Sequence, residues 1–90
     1  MKTYTWKFNK TATKNFSKLD QQVQRRLIHW LDEHIEGSHN PRTWGKALEG
    51  DRGTFWRYRV GGFRIIADIQ DSQFIVLVVK AAKRNDIYKN

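Results

Sequence analysis

The sequence predicts an α+β domain in which an N-terminal strand and a helical hairpin precede a three-stranded antiparallel meander, with both helices packed on one face of a four-stranded sheet. Two observations lead to this fold class. Apolar residues recur first with a period of two, then with helical spacing, and then again with a period of two. In addition, only Gly61 and Gly62 separate two strand-like segments, which is the sequence signal for a tight β-hairpin. A length of 90 residues allows one domain, 1–90.

The N-terminal half contains the first strand and both helices. Aromatic residues alternate with polar ones from Tyr4 to Phe8, as in a half-buried strand. A first helix follows, and a second is expected to begin after Asp20, a favourable N-cap residue, and to end before Gly37. The next segment holds the only proline and several glycines, so we expect a long connection with one helical turn around residues 44–48.

The C-terminal half contains three strands joined by tight turns. They are predicted at residues 54–60, 63–69 and 74–79. Asp71 and Ser72 mark the second turn. The last strand lacks alternation, which is typical of an interior strand covered on both faces. We expect the first strand to pair with this last one, and the chain from Lys80 onward to form a polar, basic tail.

The hairpin register assigns each residue of its two strands to a face. With the turn at the two glycines, Arg59 lies opposite Arg64. Like charges opposed on a sheet are destabilising, so this arrangement suggests a bound anion unless Asp68 offsets the repulsion. The alternative is a solvated outer face on which the arginine stems cover apolar neighbours. The polar face carries Arg57, Arg59 and Arg64 together with Phe55, Ile66 and Asp68.

The tail adds candidate catalytic residues to this face. The second hairpin returns the last strand so that its end near Lys80 is expected beside Arg64. The tail would then bring Lys83, Arg84 and Tyr88 to the same end of the sheet. Guanidinium groups bind phosphate through paired hydrogen bonds, and a phenol can exchange a proton. The cluster therefore predicts a site for a phosphodiester.

Charge and composition limit the partners and the cofactors. Lys and Arg outnumber Asp and Glu by 17 to 9, which gives a net charge of +8 and favours polyanions such as nucleic acid or the ribosome. Cysteine is absent and no apolar run is long enough to span a membrane, so we expect a cytoplasmic protein without a membrane partner. The histidines and carboxylates are scattered, which predicts no metal ion and no other cofactor. The four tryptophans are expected mainly in the core.

The hairpin and the tail resemble the RelE/ParE toxins of bacterial type II toxin–antitoxin modules. The resemblance covers nearly the whole chain, and its segments are residues 46–50 (KALEG), 55–64 (FWRYRVGGFR), 75–79 (IVLVV) and 83–88 (KRNDIY). It implies a toxin that an antitoxin neutralises. The RelE branch cleaves mRNA in the ribosomal A site, and the ParE branch poisons DNA gyrase. Because Arg64, Arg84 and Tyr88 match the nuclease positions, we favour the RelE-like activity.

The resemblance also implies a mechanism, a metal-independent transesterification in which the RNA 2′-hydroxyl attacks the adjacent phosphate. Tyr88 is the implied general base, and Arg64 the implied stabiliser of the developing charge. Arg84 or Lys83 would stabilise or protonate the leaving oxygen. Which of Tyr88, Lys83 and Arg84 is the acid and which is the base stays open. The implied phosphate-binding residues are Lys46, Arg57 and Arg59.

Three classes of function therefore stay open. They are a ribosome-dependent endoribonuclease (an mRNA interferase), a gyrase poison without nuclease activity, and a plain nucleic-acid-binding module. The first is favoured, and its expected partners are mRNA, the ribosome and a small acidic antitoxin with a DNA-binding end.

Overall fold

A computed structural model describes residues 2–48 and 55–83. These ranges contain the helices α1 (Lys10–Ser17) and α2 (Gln21–His34) and two short 3₁₀ turns, Pro41–Thr43 and Asp71–Gln73. The strands are β1 (Thr5–Phe8), β2 (Lys46–Ala47), β3 (Phe55–Val60), β4 (Phe63–Gln70) and β5 (Ile75–Lys83). The predicted α+β class and the predicted order of the main elements are confirmed.

The strands form one mixed sheet in the order β1-β5-β4-β3-β2. The expected pairing of the first strand with the last is confirmed, and it is parallel, whereas the other neighbours are antiparallel. The sheet has a fifth strand that the sequence did not predict, because β2 is only two residues long. The helical turn predicted around residues 44–48 is wrong: β2 lies there, and a 3₁₀ turn begins earlier, at Pro41.

Both helices pack on one face of this sheet, and the core lies between the two layers. The alternation predicted for the central hairpin is confirmed, because its apolar face enters this core. None of the helices in the described ranges has the length and apolarity needed to cross a membrane. In the described ranges, the largest fully buried side chains are Tyr58, Leu27, Leu31, Ile35, Ile65, Val76, Val78 and Pro41.

Two polar contacts fix the ends of the helices. Asn9 is the N-cap of α1, and its side-chain oxygen accepts a hydrogen bond from the Ala12 N–H at 2.7 Å. Asp20 occupies the predicted N-cap position of α2, although its side chain makes no capping hydrogen bond. After α2 the chain turns at Gly37, whose φ is +79° and whose N–H donates to the Tyr4 carbonyl oxygen at 2.8 Å. The end of α2 is thereby joined to the start of β1.

A buried tyrosine joins the sheet to the loop after α2. Tyr58 is fully buried in β3, and its hydroxyl donates to the Pro41 carbonyl oxygen at 2.7 Å. Burial raises the pKa of this phenol, so it stays a neutral donor. We expect Tyr58→Phe to lower the free energy of unfolding by about 1–2 kcal/mol, because a buried carbonyl loses its donor. Urea unfolding measures this loss, and an unchanged midpoint would show that the bond contributes nothing.

A second contact holds the turn between β4 and β5. Arg42 donates two hydrogen bonds of 3.0 Å to the Asp71 carboxylate, and the Tyr4 hydroxyl donates to the same group at 2.6 Å. These two donors hold the pKa of Asp71 below its usual value. The contact joins the N-terminus, the 3₁₀ turn at Pro41 and the turn before β5.

The lowered pKa of Asp71 determines how the contribution of this contact to the stability of the fold depends on pH. A carboxylate with a lowered folded-state pKa stabilises the fold above its unfolded pKa, and the stabilisation disappears as the pH falls through the folded value. The Asp71 side chain is 57% exposed, so we expect Asp71→Asn to cost less than about 1 kcal/mol at pH 7. The wild-type protein and the Asp71→Asn variant should become equally stable in acid. A difference that persists at low pH would contradict this assignment.

Candidate nucleic-acid interface

A basic cleft lies on the sheet face opposite the helices. Its volume is about 250 Å³, and we call it the arginine cleft. Among the described residues that line it, four are cationic, and all four were predicted from the sequence as phosphate-binding or catalytic residues. The lining consists of Gly45, Lys46, Arg57, Arg59 and Arg64.

Strand pairing brings the four cations together. Lys46 of β2 pairs with Arg57 of β3, and Arg59 pairs with Arg64 of β4. The turn of this hairpin has a positive φ at Gly61, +60°, as a two-residue primed turn requires. The register predicted from the sequence is therefore confirmed. Side chains paired in this way lie on one face of the sheet, about 5 Å apart at their Cβ atoms.

The cleft face has a large excess of positive charge. Asp68 is the only acidic residue in the five described strands, and it lies four residue pairs away from the Arg59–Arg64 pair. Arg59 is exposed, whereas Arg64 is only 4% exposed. Arg64 therefore lies at the bottom of the cleft and Arg59 at its rim. An anionic ligand fits this distribution, because guanidinium groups pair readily with phosphate.

A glycine and an indole fix one side of the cleft. The Trp56 indole N–H donates to the Trp44 carbonyl oxygen at 2.5 Å. The next residue, Gly45, has a φ of +79°, and a Cβ atom there would overlap the Arg57 carbonyl oxygen. Glycine thus lets the chain approach β3 closely enough for Lys46 to enter the sheet. Sequence reasoning missed Gly45 and Trp56 as site residues, since a lone glycine before a lysine is too weak a signal.

A β-bulge changes which residues of β5 lie beside the cleft. The register of β4 and β5 shifts between Ile66 and Ala67, and Ile66 pairs with Lys80. Side chains alternate along a strand, so one additional residue exchanges the two faces beyond it. The residue opposite Arg64 is Ala82, and the prediction that the end of the strand near Lys80 lies beside Arg64 is wrong. The turn before β5 is also wider than predicted, and β5 continues to residue 83.

The bulge places two lysines on opposite faces of β5. Lys80 lies on the face of the arginine cleft through its pairing with Ile66. Lys83 pairs with Phe63, whose ring packs against the core on the helix side. The register therefore does not bring Lys83 to the face of Arg64. Sequence reasoning missed Lys80 because nothing in the residues 64–83 identifies the position of a bulge.

The two remaining predicted site residues, Arg84 and Tyr88, lie outside the described residues. β5 ends at Lys83, which directly precedes them. Their delivery to the cleft and their chemical roles stay predictions.

The histidines of the described ranges take part in packing and surface contacts. His34 stacks on the Trp30 indole with ring centroids 4.5 Å apart, and its Nδ1 lies 3.0 Å from the Trp30 carbonyl oxygen. His29 lies 3.0 Å from Glu33 on the exposed side of α2. Among residues 2–48 and 55–83, no group of three or more histidine, aspartate or glutamate side chains is placed to hold a metal ion. The tryptophans pack against the core, as expected.

Comparison with known proteins identifies the family. Residues 6–88 match the model of the ParE toxin family of the type II toxin–antitoxin system parDE. A RelE-like toxin protein of Escherichia coli is 31% identical over 88 residues, which cover 94% of this chain and 90% of that protein. The chain therefore belongs to the ParE toxin family, within the RelE/ParE superfamily that its hairpin and tail resemble.

Solved structures share the fold. The RelBE2 toxin–antitoxin complex of Mycobacterium tuberculosis contains a chain that is 26% identical, with a TM-score of 0.76 and coverage of 93% of this chain and 94% of that one. The isolated RelE toxin of E. coli is 24% identical, with a TM-score of 0.70 and coverage of 94% and 90%. A RelB–RelE complex of Methanococcus jannaschii gives 22% identity, a TM-score of 0.69 and coverage of 90% and 93%.

Proposed function

We propose that this toxin is a metal-independent endoribonuclease that cleaves mRNA in the A site of the ribosome. The arginine cleft is the observation that carries the proposal. It gathers three guanidinium groups and one ammonium group on a sheet face that is poor in carboxylates. Such a set fits an RNA backbone, in which consecutive phosphates need several cationic contacts at once.

Burial assigns different roles to the cations of the cleft. Arg64 is almost fully buried, and electrostatic interactions are stronger where water is excluded. It is therefore the residue that stabilises the additional negative charge of the pentacoordinate phosphorane. Arg59 and Lys46 are exposed, so they hold the flanking phosphates together with Arg57. Contacts at an exposed rim contribute to binding more than to the chemical step.

The reaction is an internal transesterification. The 2′-oxygen of the RNA forms a bond to the adjacent phosphorus, and the bond from phosphorus to the 5′-oxygen of the next nucleotide breaks. A base removes the 2′-hydroxyl proton, and an acid gives a proton to the leaving 5′-oxygen. The products are a 2′,3′-cyclic phosphate and a 5′-hydroxyl.

Four residues are candidates for these proton transfers. Tyr88 is the proposed base, and Arg84 and Lys83 are the donors that the family resemblance implies. Lys80 is a further candidate donor, because it lies on the cleft face that Lys83 does not share. A lysine ammonium is the better acid of the two cation types, since its pKa lies well below that of an arginine guanidinium.

Removal of the Tyr88 hydroxyl tests the proposed base. We expect Tyr88→Phe to slow cleavage at least about tenfold, equivalent to about 1.4 kcal/mol of barrier, because the ring is kept and only the proton-accepting oxygen is lost. Single-turnover cleavage of a ribosome-bound message measures this rate. Tyr4→Phe is the matched control, because the Tyr4 hydroxyl bonds to Asp71 outside the cleft. Cleavage by Tyr88→Phe at the wild-type rate would remove this residue from the site.

The identity of the nucleophile is testable on the RNA itself. A message bound to the ribosome is prepared with a ribose or a 2′-deoxyribose at the cleaved position. We expect cleavage of the first and none of the second, because the 2′-oxygen is the attacking atom. The 5′ fragment should end in a cyclic phosphate. Equal cleavage of both messages would exclude the transesterification.

A gyrase poison is the second candidate, because the matching family model is that of the ParE toxins. In that case the arginine cleft would contact DNA or the acidic surface of an enzyme and would catalyse nothing. Gyrase-mediated cleavage of supercoiled DNA, measured with purified gyrase and the toxin, distinguishes the nuclease from the gyrase poison. The proposed nuclease leaves the rate of gyrase-mediated DNA cleavage unchanged, whereas a poison increases it.

The proposed partners follow from charge and from the relatives. The relatives from M. tuberculosis and M. jannaschii are complexes of a toxin with an antitoxin. We infer a cognate antitoxin for this chain, small and acidic with a DNA-binding end, that covers the arginine cleft. Positive charge outside the cleft would dock the protein on ribosomal RNA, and this contribution should weaken steeply with salt.

A further inference from the structure

The sheet face of the arginine cleft continues into a strip of different chemistry. Phe55 precedes Arg57 by two residues on β3, so the two side chains lie on the same face. Phe55 pairs with Asp68 of β4, and Asp68 pairs with Leu77 of β5. We call Phe55, Asp68 and Leu77 the apolar strip. Alternate positions of a strand are about 7 Å apart, so the strip lies one such step beyond Arg57.

The apolar side chains of the strip do not belong to the core between the sheet and the helices. Phe55 and Leu77 are half-buried, and within the described ranges neither packs against the core cluster. Leu48 extends the strip past Phe55, because its N–H donates to the Phe55 carbonyl oxygen at 3.2 Å and continues the pairing of β2 with β3. The strip therefore presents an aromatic ring on the face that carries the cations.

Asp68 adds a carboxylate to the middle of the strip. It is half-buried, and the residues paired with it on both sides are apolar. The Gln70 side-chain amide donates to its Oδ2 at 3.3 Å, which is longer than most hydrogen bonds to a carboxylate. Partial burial of a carboxylate is costly unless donors surround it. The position therefore fits a ligand that supplies N–H groups.

Charge divides the cleft face between two parts of a nucleotide. The cations attract phosphates, whereas the Asp68 carboxylate repels them. A nucleobase suits the strip, because its face stacks on an aromatic ring and its edge carries N–H donors. Adenine, cytosine and guanine each have an exocyclic amino group, and uracil has none. A carboxylate accepts a hydrogen bond from such an amino group and repels carbonyl oxygens.

We propose that Phe55 stacks on the base of an RNA nucleotide whose phosphate lies in the arginine cleft, and that Asp68 accepts a hydrogen bond from the exocyclic amino group of this base. The inference rests on the proposed function, because the RNA in the cleft is the substrate of the nuclease. Phe55 is then a positioning residue for the message. Asp68 is a specificity residue that selects against uracil at one codon position.

A randomised A-site codon tests this selection on the full chain. Ribosome-bound messages that together contain every codon are incubated with the toxin, and sequencing of the new 5′ ends gives the relative cleavage rate of each codon. We expect uracil at one position to slow cleavage at least about tenfold relative to the other three bases. Asp68→Asn should bring the uracil codons to within about twofold of the others, because an amide group also donates to carbonyl oxygens.

Three further variants separate base recognition from effects of fold and of net charge. Phe55→Leu keeps an apolar side chain but removes the ring, so it should slow cleavage of all codons at least about fivefold and keep the selection against uracil. Phe55→Tyr keeps the ring and should restore the wild-type rate. Asp20→Asn is the matched control for Asp68→Asn, because Asp20 is exposed at the start of α2, and it should leave the relative rates unchanged.

The outcomes distinguish this inference from the proposed function. Cleavage that does not set uracil apart at any position would overturn the inference and leave the nuclease standing. The same holds if a folded Asp68→Asn variant keeps the wild-type preference or changes the rate of every codon by one factor, as a purely structural carboxylate would. Absence of cleavage at every codon would contradict the proposed function and this inference with it. Circular dichroism of each variant confirms that it is folded.

Discussion

Replacement of Arg64 with alanine is expected to slow RNA cleavage at least about tenfold, and by as much as about 100-fold if the transition state gains most of its stabilisation there. Arg64 is 4% exposed at the bottom of the arginine cleft, opposite Arg59. A charge in such a place interacts strongly with an anion, because water does not screen it. Single-turnover cleavage of a ribosome-bound message gives the rate, and binding of an uncleavable 2′-deoxy message shows whether affinity changes as well.

Two controls separate the chemistry from a loss of fold. Arg25→Ala removes the same charge from the exposed surface of α2 and should leave the cleavage rate within about twofold of wild type. Arg64→Lys keeps the charge but removes the planar fork, so it should recover only part of the activity. Urea unfolding of each variant reports stability. Wild-type cleavage by a folded Arg64→Ala variant would show that the buried arginine is structural.

Replacement of Gly45 with alanine is expected to lower the free energy of unfolding by about 2–3 kcal/mol. Part of this cost is the φ of +79°, which residues with a Cβ atom rarely adopt, and part is the overlap of the new Cβ with the Arg57 carbonyl oxygen. Relief of the overlap separates β2 from β3 and moves Lys46 away from the arginines. We therefore also expect cleavage to slow about tenfold, since small misplacements at a reacting centre have large effects.

Gly37 supplies a matched control for this prediction. Its φ is also +79°, but a Cβ atom there would meet nothing within 4 Å. Gly37→Ala should therefore lower the free energy of unfolding only by the cost of the positive φ, about 1 kcal/mol, and leave the rate of cleavage unchanged. Unfolding midpoints and cleavage rates of the two variants measure the difference. Equal losses in both would show that the close approach of Gly45 to Arg57 does not shape the cleft.

Much of the cleft could be predicted because local rules determine the register of the β3–β4 hairpin. A two-residue Gly-Gly turn fixes which residues are opposed, and strict alternation then assigns Arg57, Arg59 and Arg64 to one face. The apolar residues on the other face of the same strands made the direction of the core unambiguous. Turn chemistry and periodicity agreed, so the prediction was confirmed.

The contribution of β5 could not be predicted in the same way. Its position depends on a wide turn at Asp71–Gln73 and on a bulge between Ile66 and Ala67. No residue type in β4 or β5 marks the position of this bulge. Because one inserted residue exchanges the faces, Lys80 moved to the cleft side and Lys83 to the helix side.

The edge strand β2 was missed for a different reason. It has two residues, too few to show a period, and it depends on the close approach that Gly45 permits. Lys46 was named as a phosphate-binding residue from the family resemblance alone. The structure gives a physical reason for its place in the cleft, which is its pairing with Arg57.

The most direct test of the central claim maps RNA ends and DNA breaks in the same cells after the protein is induced. The proposed nuclease predicts new 5′-hydroxyl ends within coding regions, in register with translated codons, while gyrase-dependent DNA breaks stay at the background level. These ends should disappear when Arg64→Ala is induced at an equal protein level. Intact messages together with accumulating gyrase-cleaved DNA would contradict the account.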